Sequence, residues 1–330
     1  MQQYIIRRVL LNFVVIIMVA TMVFLALRVD SGNVVRKRAG ACFGGGDISQ
    51  AADCEKITRQ ELGLDKSIPE QYWTFMKNLV QLNLGHSTFG NKDPIVSEIK
   101  DRAGPSIELG LLQILVALAI ALPVGVISAI RQDTWVDYIL RFFSIAFLGI
   151  PVFVIAVVSI LLVARYASGT FLNDWFNVQG NYSSLLSDPA QNIKNMLAPA
   201  VVGGLGTGAI IMRFLRSQML EVLRQDYVRT AWAKGLRERV VILRHALKNA
   251  LIPVLTIIGI LLGSIVSGNV ILEYIYRIPG IGFYVTSAVS QNPDFPAVQG
   301  VVLVVAITLV FINLLIDIAY GWLDPRIRYS

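Results

Sequence analysis

The sequence has little with which to do covalent chemistry. Its only histidines are His86 and His245 and its only cysteines Cys42 and Cys54, and no cluster of His, Cys and carboxylate offers a set of metal ligands. Nowhere does G-x-x-x-x-G-K-[ST] occur, so the amide cradle and lysine that hold a nucleotide's phosphates are missing. The nearest approximations, "GGGD" at 44 and "GGLGTG" at 203, have no lysine, and the second sits in an apolar run where small residues let helices approach closely. Charge is scarce too: 15% of residues are charged against 55% hydrophobic, and the mean hydropathy is +0.62. So few polar residues cannot cover the core of a soluble protein of this length. These shortages argue against an ATPase, a metalloenzyme and a soluble domain, and no polar catalytic cluster at membrane depth suggests an embedded enzyme.

What is present is apolar sequence in long runs. Six are long enough for a hydrocarbon core, which needs roughly 20 residues per helix: Val9–Val29, Ile107–Ile130, Tyr138–Ala164, Met196–Phe214, Ala250–Ile271 and Ala297–Leu323. The expected fold is an all-α integral membrane protein of six transmembrane helices. Three regions follow: an N-terminal helix at 1–29, an external segment at 30–105, and a core of five transmembrane helices at 106–330 with a cytoplasmic loop at 216–249. The first run exceeds the h-region of a secretory signal and reads as a retained helix. Basic residues near span ends stay on the cytoplasmic side; Arg7 and Arg8 put the N-terminus there, and six spans return the C-terminus, with Arg326 and Arg328, to the same side. The localisation expected is therefore the prokaryotic cell membrane, multi-pass, with both termini cytoplasmic. His86 and His245 then fall on opposite sides.

Arg213 to Asn249 holds nine basic and three acidic residues, an excess of six in a chain whose net charge is +7. That charge lies where membrane topology wants it, and no aromatic-basic surface accompanies it, so nucleic acid is not an expected partner. Leu220, Leu223, Tyr227 and Ala231 form one apolar stripe and Val240, Leu243, Leu247 and Ala250 a second, both at helical spacing. Gly235 lies between them, where a glycine can end a helix in a left-handed conformation. The expectation is two short amphipathic helices meeting at a small-residue corner. Two fates compete for it: lying on anionic membrane lipid, or docking in a groove of a partner, which Ala231, Ala233 and Gly235 would permit.

At this corner the residues carry a family resemblance. "YVRTAWAKGL" with "ILRHALKNALIPV" resembles the coupling signature of ABC importer permeases, a Glu-Ala-Ala triplet followed by Gly and a downstream Ile-x-Leu-Pro. Ala231, Gly235 and Leu247 match, while Arg229 replaces the Glu and His245 and Lys248 replace the Ile and Pro. "LGLDKSIPEQYWTFMKNLVQLNLGHS" (62–87), "SGNVILEYIYRIPGIG" (267–282) and "DPRIRY" (324–329) are similar, in the same order, to the first permease of dipeptide and oligopeptide importers. The likeness runs from Tyr4 to Tyr329; the insert around 36–56 lies outside it.

The resemblance implies a type I ABC importer permease, a non-catalytic subunit. A second related permease would complete the path, two ATP-binding subunits would dock below, and an extracytoplasmic substrate-binding protein would deliver peptides. ATP and Mg would belong to the partner subunits, with no cofactor bound by this chain. Arg229, Thr230, Ala231, Lys234, Gly235, Leu236 and Arg237 are the expected ATPase-coupling residues. Nickel chelates, haem and sugars are alternative cargoes in the same branch; a self-sufficient channel or secondary carrier is the alternative of another class.

The remaining candidates come from residue character. Gly263, Ser264, Ser267, Gly268 and Asn269 make a small, weakly polar face that suits a translocation path for cargo of variable side chain, with plain helix packing as the alternative. Pro123, Pro151 and Pro253 are candidate kinks. Glu108 and Asp317, near membrane borders, are expected to be hydrated or paired rather than proton-coupled. Cys42 and Cys54, with eleven residues between them in the external insert, are placed to form a disulfide in an oxidising compartment, with two free thiols as the alternative. Tyr72, Phe75, Met76 and Leu79 mark an external amphipathic helix expected to pack on the ends of the spans.

Overall fold

A backbone in hydrocarbon has no water to bond with, so it must satisfy its own N–H and C=O groups. The computed structural model is accordingly helical, with one isolated bridge between His86 and Pro94 among the described residues. These are residues 2–29, 32, 35, 48–61, 63–87, 93–176, 182–264, 269–290 and 294–323. Among the described residues five helices are long and apolar enough to cross a membrane, and a bent pair that passes the same test together brings the number to six if it crosses as one span. By contact the chain divides into two units, residues 1–103 with 281–330, and residues 104–280.

In the first unit α1 (Gln2–Val29) packs along α14 (Phe295–Leu323). Helix α3 (Ile68–Val80), which follows α2 (Ile48–Glu61), sits on the end of α1, as its aromatic stripe led us to expect. Its Tyr72 and Phe75 rings lie 5.3 and 5.4 Å from the buried Phe24, and the Tyr72 hydroxyl is 2.8 Å from Thr21 Oγ1. Ile95 and Ile99, in the first turns of α4 (Ile95–Ile130), join Val301 and Ile281 of α13 (Ile281–Ser290) in a separate cluster.

The second unit is built on α8 (Pro189–Leu223). Its most apolar window is 61% buried, against 11% for α1. Asp188 caps α8 by accepting from Gln191 N at 3.1 Å, and Pro189 occupies the first turn, where no amide partner is needed. Glycines set how close it comes to α4. A Cβ on Gly203 would meet Gln113 at 2.7 Å, one on Gly204 would meet Val116 at 3.0 Å, and one on Gly208 would meet the Ala117 carbonyl at 3.2 Å. The "GGLGTG" stretch is thus a packing surface. Ala117, Ala121, Ile211, Leu215, Ala246, Ala250 and Val254 form the adjoining core.

Two spans depart from their expected form. Tyr138–Ala164 is two helices, α5 (Trp135–Gly149) and α6 (Val152–Tyr166), bent by 104°. Proline clashes with a helical predecessor; Ile150 before Pro151 is extended at φ −85, ψ 123, and the helix breaks there. Pro123 and Pro253 stay inside continuous helices. The expected fifth span, Ala250–Ile271, is too long at its far end. Its helix, α11 (Lys248–Ser264), stops before Asn269, and a separate helix, α12 (Val270–Ile275), follows. The short α7 (Phe171–Phe176) packs on α6 and α8.

Candidate functional site

Helix α9 (Asp226–Ala233) carries the basic corner. The chain breaks before it, with Gln225 extended at φ −73, ψ 148. That break advances the phase by one residue, so Val228 rather than Tyr227 turns inward. Val228 and Ala231 pack on Val241, with Val222 and Leu223 at the edge. At the far end Gly235 N donates to Trp232 O at 2.9 Å and Leu236 N to Ala231 O at 3.4 Å. Together with Gly235 at φ +72, these two bonds are a Schellman cap, which needs a left-handed residue where Gly235 stands. A Cβ added there would meet nothing within 4 Å, so the glycine answers to backbone conformation alone.

Beyond an extended Arg237, α10 (Glu238–Val240) leads into a π-helix at Val241–Leu247. A π turn takes in one more residue than an α turn. The buried positions become Val241, Ile242, Ala246 and Ala250, and Leu243 of the expected stripe is exposed. Asn249 Nδ2 donates to the Tyr227 hydroxyl at 3.1 Å, tying α9 to α11.

Of the expected coupling residues, Ala231 is a packing residue facing inward. Arg229, Thr230, Lys234, Gly235, Leu236 and Arg237 are all exposed. Arg229 lies 3.6 Å from Asp226 in a pair with side chains 71% and 97% exposed, which contributes little to stability. The result is a short rigid helix seated by two apolar residues, with a cationic face outward. Behind it, Trp232, Ala129, Leu220, Glu238 and Ile242 line a cavity of about 260 Å³.

The same unit holds a charged joint that the sequence reading passed over. Arg216 of α8 donates to Asp137 of α5 through Nη2 at 2.7 Å and Nε at 2.9 Å. Its Nε also reaches Ser128 of α4 at 3.1 Å, and Ser128 donates to Asp137. Asp133 N adds a bond to the other carboxylate oxygen at 3.1 Å. The Asp137 side chain is fully buried and that of Arg216 is 15% exposed. One bidentate pair therefore locks three helices together. The available signal was Asp137 at the head of an apolar run; Arg216 was counted only as a topology charge.

Of the path candidates, Gly263 and Ser264 close α11 with their side chains outside the described residues, as are Ser267 and Gly268 altogether. Asn269 is described. Its Nδ2 donates to Gln113 Oε1 at 2.9 Å, and Gln113 Nε2 donates to Thr207 Oγ1 at 3.0 Å. Asn269 thus belongs to a chain of neutral polar groups across three segments, two members of which, Gln113 and Thr207, escaped the sequence reading. Four residues on, Glu273 is fully buried. It accepts from Ser106 Oγ at 2.8 Å and from Asn269 N at 3.1 Å. A Cβ on Gly280 would fall 2.3 Å from Glu273 Oε2, which is why "NVILEYIYRIPG" closes on a glycine.

Glu108 is paired, as expected. Tyr182 Oη and Asn192 Nδ2 each donate to its Oε2 at 2.8 Å. Burial first, then the Glu108 carboxylate, push the Tyr182 phenol well above its ordinary range. The Asp317 side chain and the proposed Cys42–Cys54 pair fall outside the described residues. Among the described residues no group of three or more His, Cys, Asp and Glu could hold a metal ion.

Spanning helices joined by close glycine contacts, with a short exposed helix on a left-handed cap, define an all-α, multi-pass membrane protein. The relatives are of that kind. Residues 121–329 match the family "Binding-protein-dependent transport system inner membrane component" and residues 1–105 its N-terminal family. The chain belongs to this family. It is 35% identical over 342 residues to the dipeptide transport system permease protein DppB of Alkalihalophilus pseudofirmus. It is 33% identical over 349 residues to DppB of Escherichia coli K12, and 32% over 330 residues to the glutathione transport system permease protein GsiC of Pectobacterium atrosepticum. In each case 100% of both chains is covered.

Proposed function

We propose that this chain is the permease subunit of an ATP-driven importer of small peptides, which an extracytoplasmic substrate-binding protein delivers. A second related permease completes the translocation path. Two ATP-binding subunits dock from the cytoplasm, holding the ATP and Mg while this chain binds no cofactor. Both termini lie in the cytoplasm of a prokaryotic cell, with the 30–105 segment outside. The observation that carries the reading is α9 itself. Val228 and Ala231 seat it on the membrane domain while Arg229, Lys234 and Arg237 project outward, and full-length similarity to named dipeptide permeases supports the cargo.

A helix held so short and capped so firmly can pass a push from a partner's cleft into α8 and the π segment with little loss to bending. The neutral chain Asn269–Gln113–Thr207 offers amide and hydroxyl groups that match a peptide backbone and impose no charge preference. Gly235→Trp tests the joint. Insertion is expected to be normal and ATP-driven uptake of a labelled dipeptide in reconstituted vesicles strongly reduced. Uptake at the parental rate would defeat the coupling role, and uptake by this chain alone without ATP would defeat the importer reading.

A further inference from the structure

The first unit contains a cavity of about 280 Å³, close to the lower end of small-molecule sites, about 300 Å³. Its walls come from the Arg28 end of α1, the Phe295 end of α14, and α3 with its flanking turns. Because Ile6–Ala26 and Phe295–Leu314 are the spanning stretches, the cavity lies where hydrocarbon gives way to headgroups.

Its polar lining is one-sided among the described residues: Arg28, Lys66, Asn78 and Gln299 face it among others, and no described carboxylate lines it. Glu70, 3.7 Å from Lys66, stands outside the lining. Arg28 is held in place, its Nε donating to Gln71 Oε1 at 2.6 Å and its guanidinium 4.7 Å from the Phe24 ring centroid. The side-chain nitrogen of Gln299 is buried and has no acceptor among the described residues. A buried donor without an acceptor costs free energy, and an oxygen-rich ligand would remove that cost. Phe75 and Leu303 supply apolar wall on the membrane side.

Two cations, an unanswered amide and an apolar flank at headgroup depth fit one ligand chemistry, a phosphate attached to a hydrocarbon chain. We propose that this cavity binds the headgroup and upper acyl carbons of an anionic phospholipid from the leaflet at the Arg28 end, the outer leaflet in the orientation proposed above. The bound lipid fastens α3 to the α1–α14 pair. The proposal requires a membrane protein but not a peptide cargo.

The test uses the full chain, delipidated in detergent and titrated with phosphatidylglycerol or phosphatidylcholine, with bound lipid counted by native mass spectrometry. One phosphatidylglycerol is expected to bind and phosphatidylcholine to bind weakly. Lys66→Gln should lower phosphatidylglycerol affinity about fivefold, the equivalent of the ~1 kcal/mol a basic residue contributes near an anionic surface. Gln299→Leu should also lower it, whereas Lys77→Gln, the same charge removed from α3 away from the cavity, should not. Equal losses in Lys66→Gln and Lys77→Gln would overturn the site in favour of general surface charge, as would unchanged binding in both cavity variants. Displacement of the lipid by millimolar inorganic phosphate would assign the site to a free anion, and displacement by a dipeptide to cargo; either overturns the lipid.

Discussion

Arg216→Met would remove the cation that answers Asp137 while keeping most of the side-chain volume. Asp137, whose carboxylate has no access to water, would retain Ser128, the Asp133 amide and a longer ion pair with the half-exposed Arg141 at 3.7 Å, so the loss should fall toward the lower end of that for a stranded buried charge. Stranding one partner of a buried pair costs about 3–5 kcal/mol. Asp137→Leu strands Arg216 instead, but at 15% exposure that side chain can reach solvent, so the loss should be smaller. In Asp137→Leu/Arg216→Met the bidentate pair is gone, Arg141 is exposed enough to turn to solvent, and two apolar side chains fill the joint, an exchange that is often close to neutral. Ser128 and the Asp133 amide still lose an acceptor, at about 1–3 kcal/mol. The expected order of stability is therefore parent, then the double variant, then Asp137→Leu, then Arg216→Met. Reversible unfolding in mixed detergent, followed by circular dichroism, gives the free energies. Additivity of the two single losses within ~0.5 kcal/mol would show the residues to be uncoupled and refute the joint as the tie between α4, α5 and α8.

Gly235→Ala should cost about 1–2 kcal/mol through the left-handed backbone alone, because no atom lies within 4 Å of the added Cβ; Gly235→Asn should cost less, and equal losses in thermal melts would count against the cap. Gly280→Ala forces a methyl to within 2.3 Å of Glu273 Oε2 and should destabilise by about 1–3 kcal/mol or more, while Gly104→Ala, in open space within α4, should be neutral or stabilising in the same melts. Burial and Glu108 keep the Tyr182 phenol protonated in the folded chain. Its raised pKa contributes stability that is fully present below the unfolded tyrosine value of about 10 and is lost as pH rises beyond it; Tyr182→Phe should flatten that alkaline limb of stability against pH.

Hydrophobic runs made the class, the number of spans and the position of the basic corner legible in the sequence, because hydrocarbon length and helical period are properties of a single segment. What was not legible depended on local phase or on partners far along the chain. The stripe through Leu243 failed since a π-helix changes the period within seven residues, and nothing in "VILRHAL" marks that turn. Tyr227 and Val228 exchanged places because the break at Gln225 is shorter than any loop signal. Pro151 carried its signal plainly, yet a kink and a 104° break have the same sequence mark. Asp137 and Arg216 stand 79 residues apart, so only the fold pairs them. Glu108 was weighed correctly because depth alone, readable from the run, predicts a partner for a carboxylate near a membrane border.

The polar groups of the second unit are of two kinds. Among the described residues the buried and half-buried carboxylates are answered by a cation, at Asp137–Arg216, or held by several donors, as at Glu108 and Glu273. Each restrains the segments it joins. The chain Asn269–Gln113–Thr207 instead holds donors and acceptors of no net charge, which suits the path role proposed for it. A fixed charge in that chain would favour cargo of one sign and repel the other. Restraint at Asp137–Arg216 and neutrality along the polar chain are therefore carried by different residues, and a substitution can alter either one alone.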